Sequence, residues 1–281
     1  MMPNGAEPQD FAGRIGLVSG GTQGLGLATA RLLRDRGASG LLLVGRDEAK
    51  AEAAAAALAT DQCRVLGHSA DIGTVDGCES IIARLDAEFD TCHALINCAA
   101  RTDRGTVWDT TPEIWDGMYQ VNVRGPALLS QGVAKIMRRQ GVDGSIVMIG
   151  SVALHGGQDR LLAYSTSKSA LVAMTRSLAF QLMRHRIRVN LLNPGWMDTP
   201  AEDITQRTWE GAQDGWLEAA EANQPWGKLI KPDEIARTIV HLATPDSGML
   251  SGAIIDWDQS VLGAGEPARP GPELGPQETT T

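Results

Sequence analysis

Residues 15–26 read Ile15-Gly16-Leu17-Val18-Ser19-Gly20-Gly21-Thr22-Gln23-Gly24-Leu25-Gly26, a short apolar run that breaks into glycines. Ile15–Ser19 has the length and composition of a buried strand, and the periodic stretch Leu25–Arg36 follows almost at once. Glycine suits such a turn because the backbone must reverse sharply and lie close to its neighbours. A helix opening here aims N–H groups and the positive end of its dipole at the turn, an arrangement that favours phosphate. By themselves these glycines also describe an ordinary tight loop between strand and helix. Their place on the first strand of a strand–helix–strand unit makes a dinucleotide pyrophosphate the expected occupant.

The alternation continues along the chain. Apolar runs of strand type recur at Leu41–Val44, Val65–His68, Ala94–Asn97, Ile146–Ile149, Val189–Leu192 and Ala253–Asp256, separated by helical stretches such as Glu48–Ala59 and Val75–Glu88. Several lack polar alternation, as strands covered on both faces do. This pattern predicts one α/β domain over residues 10–263, a doubly wound parallel sheet with helices on both faces. Residues 264–281, rich in Gly, Pro, Glu and Thr, are expected to form a disordered tail.

A formal net charge of -9 offers no electrostatic footprint for nucleic acid or an anionic membrane. The four cysteines, Cys63, Cys78, Cys92 and Cys98, form no CxxC pair and have no histidine cluster near them in sequence. No metal site is therefore expected, and reduced thiols in a cytoplasmic protein are the simplest reading. The opening MMPNGAEPQD has neither the basic nor the apolar region of a secretion signal, and no apolar run approaches a membrane span.

Tyr164 and Lys168 stand four residues apart at the start of a helical run, so both side chains share a helix face. A nearby ammonium stabilises a phenolate and lowers the phenol pKa, and such a pair can pass a proton to or from an alcohol oxygen. On spacing alone, a chance surface pair is the competing reading.

Taken together, these residues resemble the short-chain dehydrogenase/reductase family in its single-domain subclass, over about Gly13 to Gly263. The glycine motif of that family is similar to Ser19–Gly26, its NNAG to Asn97-Cys98-Ala99-Ala100, and its YxxxK to Tyr164–Lys168. Its catalytic Asn and Ser resemble Asn122 and Ser151, and its PG turn resembles Pro194-Gly195, followed by Thr199. The Val-Asp-Gly-Gly ending is here Ile255-Asp256-Trp257-Asp258, a departure with consequences for subunit contacts. The resemblance implies a Rossmann-like fold and hydride exchange between a secondary alcohol or ketone and a nicotinamide cofactor. Tyr164 would be the acid/base, and Lys168 would tune it and hold the nicotinamide ribose. Ser151 would bond the substrate oxygen, and Asn122 would hold a water leading from Lys168 to solvent. Without their spacing to Tyr164, local strand-end hydrogen bonding is the preferred reading of Ser151 and Asn122.

The resemblance places the cofactor on Gly20, Thr22, Gln23, Gly24, Leu25, Gly26, Asp71, Ile72, Asn97, Tyr164, Lys168, Pro194, Gly195 and Thr199. An NAD site usually carries an acid at the end of the second strand, about twenty residues past the glycines. Gly45 stands there instead, with Arg46 next. Gly45 leaves room for a 2′-phosphate and Arg46 suits its charge, so NADP(H) is favoured. Asp47, only two residues late, keeps NAD(H) open, and its competing role is to cap the following helix.

Residues of about 196–230 correspond to the family's substrate lid and carry Trp196, Trp209, Trp216 and Trp226. Trp209 and Trp216, seven apart, are expected to share a helix face. Indole walls can grip an apolar ring or a sugar face, or simply pack the segment down. His155, four residues after Ser151, is placed to face the pocket but reads as structural. The helix over residues 165–184 is apolar on several sides, and with the resemblance this predicts a homodimer or homotetramer. The rival readings are an epimerase or dehydratase, for which the chain lacks an added domain, and a non-catalytic nucleotide sensor, which would need only the glycines.

Overall fold

The apolar runs fold as strands β1 Ile15–Ser19, β2 Gly40–Gly45, β3 Arg64–Ser69, β4 Ala94–Asn97, β5 Gly144–Ile149, β6 Ile187–Pro194 and β7 Ile254–Trp257. The structure, a computed structural model, describes residues 8–264. From residue 265 on, the expected tail lies outside the described residues. The helices are α1 Gly24–Asp35, α2 Glu48–Leu58, α3 Val75–Phe89, α4 Pro112–Tyr119, α5 Gly125–Gln140, α6 Leu162–Leu182, α7 Pro200–Trp209, α8 Trp216–Ala222 and α9 Pro232–Ala243.

All strand pairs are parallel, in the order β3-β2-β1-β4-β5-β6-β7. Alternate residues of each strand feed opposite faces. Leu17, Leu42, Leu95, Ile146 and Leu191 pack under α3, α5 and α6, while Val18, Leu43, Ile96, Val147 and Leu192 pack under α1, α2 and α9. Covering both faces is why these runs are apolar throughout, and each buried side chain contributes about 1.5–3 kcal/mol. The chain winds outward from β1 through β3, then restarts on the other side at β4. The carboxyl ends of β1 and β4 therefore part to form the crevice where this architecture takes ligands.

One expectation is corrected. Trp209 and Trp216 lie on different helices, because Gly211 and Gly215 adopt φ values of 71° and 85° and end the helical path between them. Helix α6 buries one face, through Ala163, Ser167, Lys168, Leu171, Thr175 and Ala179, while Phe180 and Met183 stand 80% and 60% exposed.

Candidate active site

The turn after β1 packs so closely that only glycine fits. Gly20 has φ +71°, and a Cβ there would lie 2.7 Å from the backbone nitrogen of Ala99. A Cβ on Gly26 would meet the Gly20 carbonyl oxygen at 2.1 Å, so α1 starts directly on the loop. Gly24, at φ +52°, faces the Thr199 side chain across the cleft, 3.7 Å from where its own Cβ would be. Gln23 holds the N-cap position of α1 in extended conformation and makes no side-chain cap bond, so the first-turn N–H groups keep no side-chain acceptor. Leu25 is buried beneath this turn. Asn97 ends β4 in the crevice and is 3% exposed; its amide nitrogen approaches Met148 Sδ at 3.3 Å, while its buried Oδ1 has no partner among the described residues.

Ser151, Tyr164 and Lys168 come together. Ser151 follows β5, where its hydroxyl oxygen accepts from Ala153 N–H at 3.2 Å, and its side chain is close enough to the Tyr164 phenol to lower its pKa. Lys168 lies one turn beyond Tyr164 on α6, with Nζ 5.6 Å from the ring centre, and donates to the Ile149 carbonyl at 2.8 Å. Burial pulls the Lys168 pKa down from 10.5 to about 8. Burial also pushes the Tyr164 phenol up, against the smaller lowering effects of Ser151 and of the Arg104 charge. Burial outweighs them because a desolvated phenolate is costly.

Asn122 sits in a π-helical turn, Gln120–Arg124, between α4 and α5, where Gly125 N–H bonds back to the Gln120 carbonyl. Such turns interrupt helices at functional sites. The buried Asn122 amide accepts from Arg101 N–H at 2.8 Å and donates to Arg101 O at 3.0 Å and to Ser167 Oγ at 3.0 Å. It thus ties the loop after β4 to α6, a longer reach than local strand-end bonding.

At the outer end of the crevice, Arg46 is exposed and its side chain bonds to no described residue. Asp47 is engaged as the N-cap of α2, accepting from Lys50 N–H at 3.0 Å. The room expected beside Gly45 is occupied: a Cβ there would lie 2.7 Å from Thr22 Cγ2. Asp71 closes a small turn by accepting from Gly73 N–H at 2.8 Å, and Ile72 is buried beside it. At the other end, a Cβ on Gly195 would meet Asp258 Oδ1 at 1.8 Å, and Thr199 caps α7 by accepting from Glu202 N–H at 3.1 Å. Pro194 ends β6 at this edge.

Trp196 and Trp216 stack with centroids 6.3 Å apart, and their indole N–H groups donate to Glu202 at 2.8 Å and Asp203 at 2.7 Å. Trp226 is 76% exposed. His155 pairs with Asp256 at 2.9 Å. No motif marks Arg104 and Arg160 in the sequence, yet both guanidiniums reach Glu210 at the end of α7, at 2.8 and 3.3 Å. Among the described residues, no group of three or more His, Cys, Asp or Glu is placed to hold a metal ion, and no helix is long and apolar enough to cross a membrane.

The chain matches the family described as enoyl-(acyl carrier protein) reductase over residues 20–260. It is 32% identical over 244 residues to the short-chain reductase protein NovJ of Streptomyces niveus, covering 87% of this chain and 92% of that protein. It is 29% identical over 238 residues to galactitol 2-dehydrogenase of Agrobacterium fabrum, covering 83% and 91%. The crystal structure of L-sorbose reductase from Gluconobacter frateurii complexed with NADPH and L-sorbose superposes with a TM-score of 0.81 at 25% identity, over 88% of this chain and 96% of that one.

Proposed function

The chain belongs to the short-chain dehydrogenase/reductase family, and from that membership we propose that it interconverts a secondary alcohol and a ketone with Tyr164 as the acid/base. The observation that carries the proposal is the convergence of Ser151, Tyr164 and Lys168 at the carboxyl end of β5. A nucleotide sensor has no use for that convergence.

The residues present fit a nicotinamide dinucleotide. The glycine cradle excludes side chains, the first turn of α1 keeps its N–H groups, and Asn97 Oδ1 lacks a partner in the crevice. Gly20, Thr22, Gln23, Gly24, Leu25 and Gly26 would hold the pyrophosphate. Asp71 and Ile72 would flank the adenine, and Asn97, Pro194, Gly195 and Thr199 the nicotinamide end. When bound, the nicotinamide supplies or accepts the hydride. In reduction, Tyr164 donates its proton to the carbonyl oxygen; in oxidation it takes the proton from the alcohol. Burial keeps the phenol protonated, the form that donates. Ser151 donates a hydrogen bond to the same oxygen, and the Lys168 ammonium offsets charge at the phenol oxygen. Asn122 holds the loop and α6 in register, and its backbone carbonyl would anchor a water on the path from Lys168 to solvent.

NADP(H) is the favoured cofactor, with NAD(H) the alternative. Arg46 is open for a 2′-phosphate, while Asp47 is engaged as a helix cap. The sorbose reductase neighbour is itself complexed with NADPH. Residues 196–230 would form the substrate lid. The exposed Phe180 of α6 and Met183 just after it support a homodimer or homotetramer, and the four free cysteines support a cytoplasmic location.

Nicotinamide absorbance tests the proposal against a panel of ketones with NADPH and of alcohols with NADP. Turnover that disappears in Tyr164→Phe is expected. A folded wild-type protein that binds the cofactor yet turns over no member of a broad panel would count against it.

A further inference from the structure

Glu210 sits in a grip of two arginines. Its Oε1 accepts from Arg104 Nε at 2.8 Å and its Oε2 from Arg160 Nη1 at 3.3 Å. The arginines come from different segments, the loop after β4 and the turn before α6. A bridge between Gly105 and Leu161 joins these segments, with Gly105 N–H donating to the Arg160 carbonyl at 2.8 Å. Only 11% of the Arg104 side chain is exposed, and its Nη1 is fixed by the Thr102 carbonyl at 3.0 Å. Arg160 holds φ +60°, a left-handed conformation costly for a side chain with Cβ. Strain of that kind persists where the surrounding structure fixes it, and it gathers at functional sites. Arg101, in the same loop, is already matched by Asp103, so its charge is not free for the grip.

The two halves of this contact differ in character. The arginines start from the body of the domain, next to the bridge residue Leu161 three places before Tyr164, although the Arg160 side chain is 41% exposed and its Nη1 also donates to the Trp209 carbonyl at 2.8 Å. The charge of Arg104 acts on the Tyr164 phenol, which places the grip within electrostatic reach of the reacting oxygen. Glu210 belongs to the lid and is followed by Gly211 and Gly215, both at positive φ, so the backbone beside it can rearrange easily. A fork of guanidinium donors recognises carboxylates as a class, and here it already holds one.

We infer that Arg104 and Arg160 form a carboxylate subsite of the substrate cleft, and that the substrate is a hydroxy acid or the matching keto acid whose carboxylate replaces Glu210. This rests on the reading of Tyr164 as the acid/base. Glu210 then acts as an internal competitor: it keeps the paired guanidiniums satisfied until substrate arrives, and it weakens binding of weak anions. Loss of one charge-assisted pair is worth roughly ten- to a hundredfold in affinity.

The test uses the full chain with its nicotinamide cofactor. Calorimetry measures binding of cyclohexanecarboxylate, a redox-inert probe, and of cyclohexanecarboxamide. Turnover is compared for 3-hydroxycyclohexanecarboxylate, 4-hydroxypentanoate and their carboxamides. The carboxylate is expected to bind and react about tenfold or more better than its amide. Glu210→Gln should tighten the carboxylate probe, and Arg160→Gln should loosen it, with no comparable change for the amide. Equal handling of acid and amide, no carboxylate binding even in Glu210→Gln, or an Arg160→Gln variant with wild-type preference would each overturn the subsite. Turnover of the neutral amides that still requires Tyr164 would in that event leave the oxidoreductase proposal standing.

Discussion

Thr22 fills the space beside Gly45, leaving only 2.7 Å between its Cγ2 and any Cβ placed at position 45. The end of β2 is thereby closed to a side chain from its own strand. Gly45→Asp alone should fail to create an NAD(H) enzyme and should also lower stability, because Thr22 must move. Pairing it with Thr22→Ala should restore folding and tighten NAD(H). Dissociation constants for both cofactors across the wild type and these two variants measure this. Efficient conversion by Gly45→Asp alone would show that the contact yields.

Arg46→Ala should weaken NADP(H) by roughly ten- to a hundredfold, the worth of a charge-assisted bond to phosphate, and leave NAD(H) nearly unchanged. Fluorescence titration with both reduced cofactors decides it. Tighter NAD(H) than NADP(H) in the wild type would move the recognition of the ribose elsewhere.

Tyr164→Phe removes the phenol oxygen and keeps the ring. Cofactor affinity should persist while turnover falls by about 10²–10⁴ or more. Single-turnover kinetics check this, and near wild-type turnover in a folded variant would remove Tyr164 from the proton path.

Lys168 holds its proton less tightly folded than unfolded, because burial lowers its pKa from 10.5 to about 8. Between those values the unfolded chain binds more protons, so this group makes stability rise with pH through that window. Below about pH 8 the folded state bears the whole cost of the buried ammonium, about 3 kcal/mol at 1.36 kcal/mol per pKa unit. Lys168→Met should therefore be inactive yet more stable at pH 7 by roughly 1–2 kcal/mol after loss of the bond to Ile149. Denaturant titration of the cofactor-free proteins at pH 7 and 10 should show the advantage shrinking at the higher pH. An advantage that grows with pH would contradict this assignment.

Hydrogen exchange over residues 200–226 should slow when cofactor and substrate are both bound, as expected of a lid that closes over its substrate. Equal protection in the free and ternary states would make the segment a fixed wall.

Much of this structure can be read from the sequence. The strands are legible because burial on both faces leaves unbroken apolar runs, and every one appears within two residues of its expected ends. Tyr164 and Lys168 are legible because helix periodicity turns a four-residue spacing into a shared face. What the pattern hides comes from contacts between distant segments. Thr22 against Gly45 joins two strand ends, and the Arg104–Glu210–Arg160 grip joins three loops and a left-handed residue. The Trp209–Trp216 expectation failed because a seven-residue spacing implies one face only within a continuous helix. Gly211, visible in the sequence, was the sign of a break.

The π turn at Gln120–Arg124 also limits how this chain can change length. It holds one residue more than an α-helical path would, and each residue of a helix turns the chain by roughly 100°. Deleting any single residue there would let α4 and α5 fuse into one regular helix. The wide turn absorbs its extra residue, so α5 would keep its phase on the sheet, but the bulge that carries Asn122 to Arg101 would be gone. Substitutions in this turn are a matter of degree, whereas a one-codon deletion is all or nothing. The segment is a frame marker for the active site: point changes can drift around it, but its length cannot.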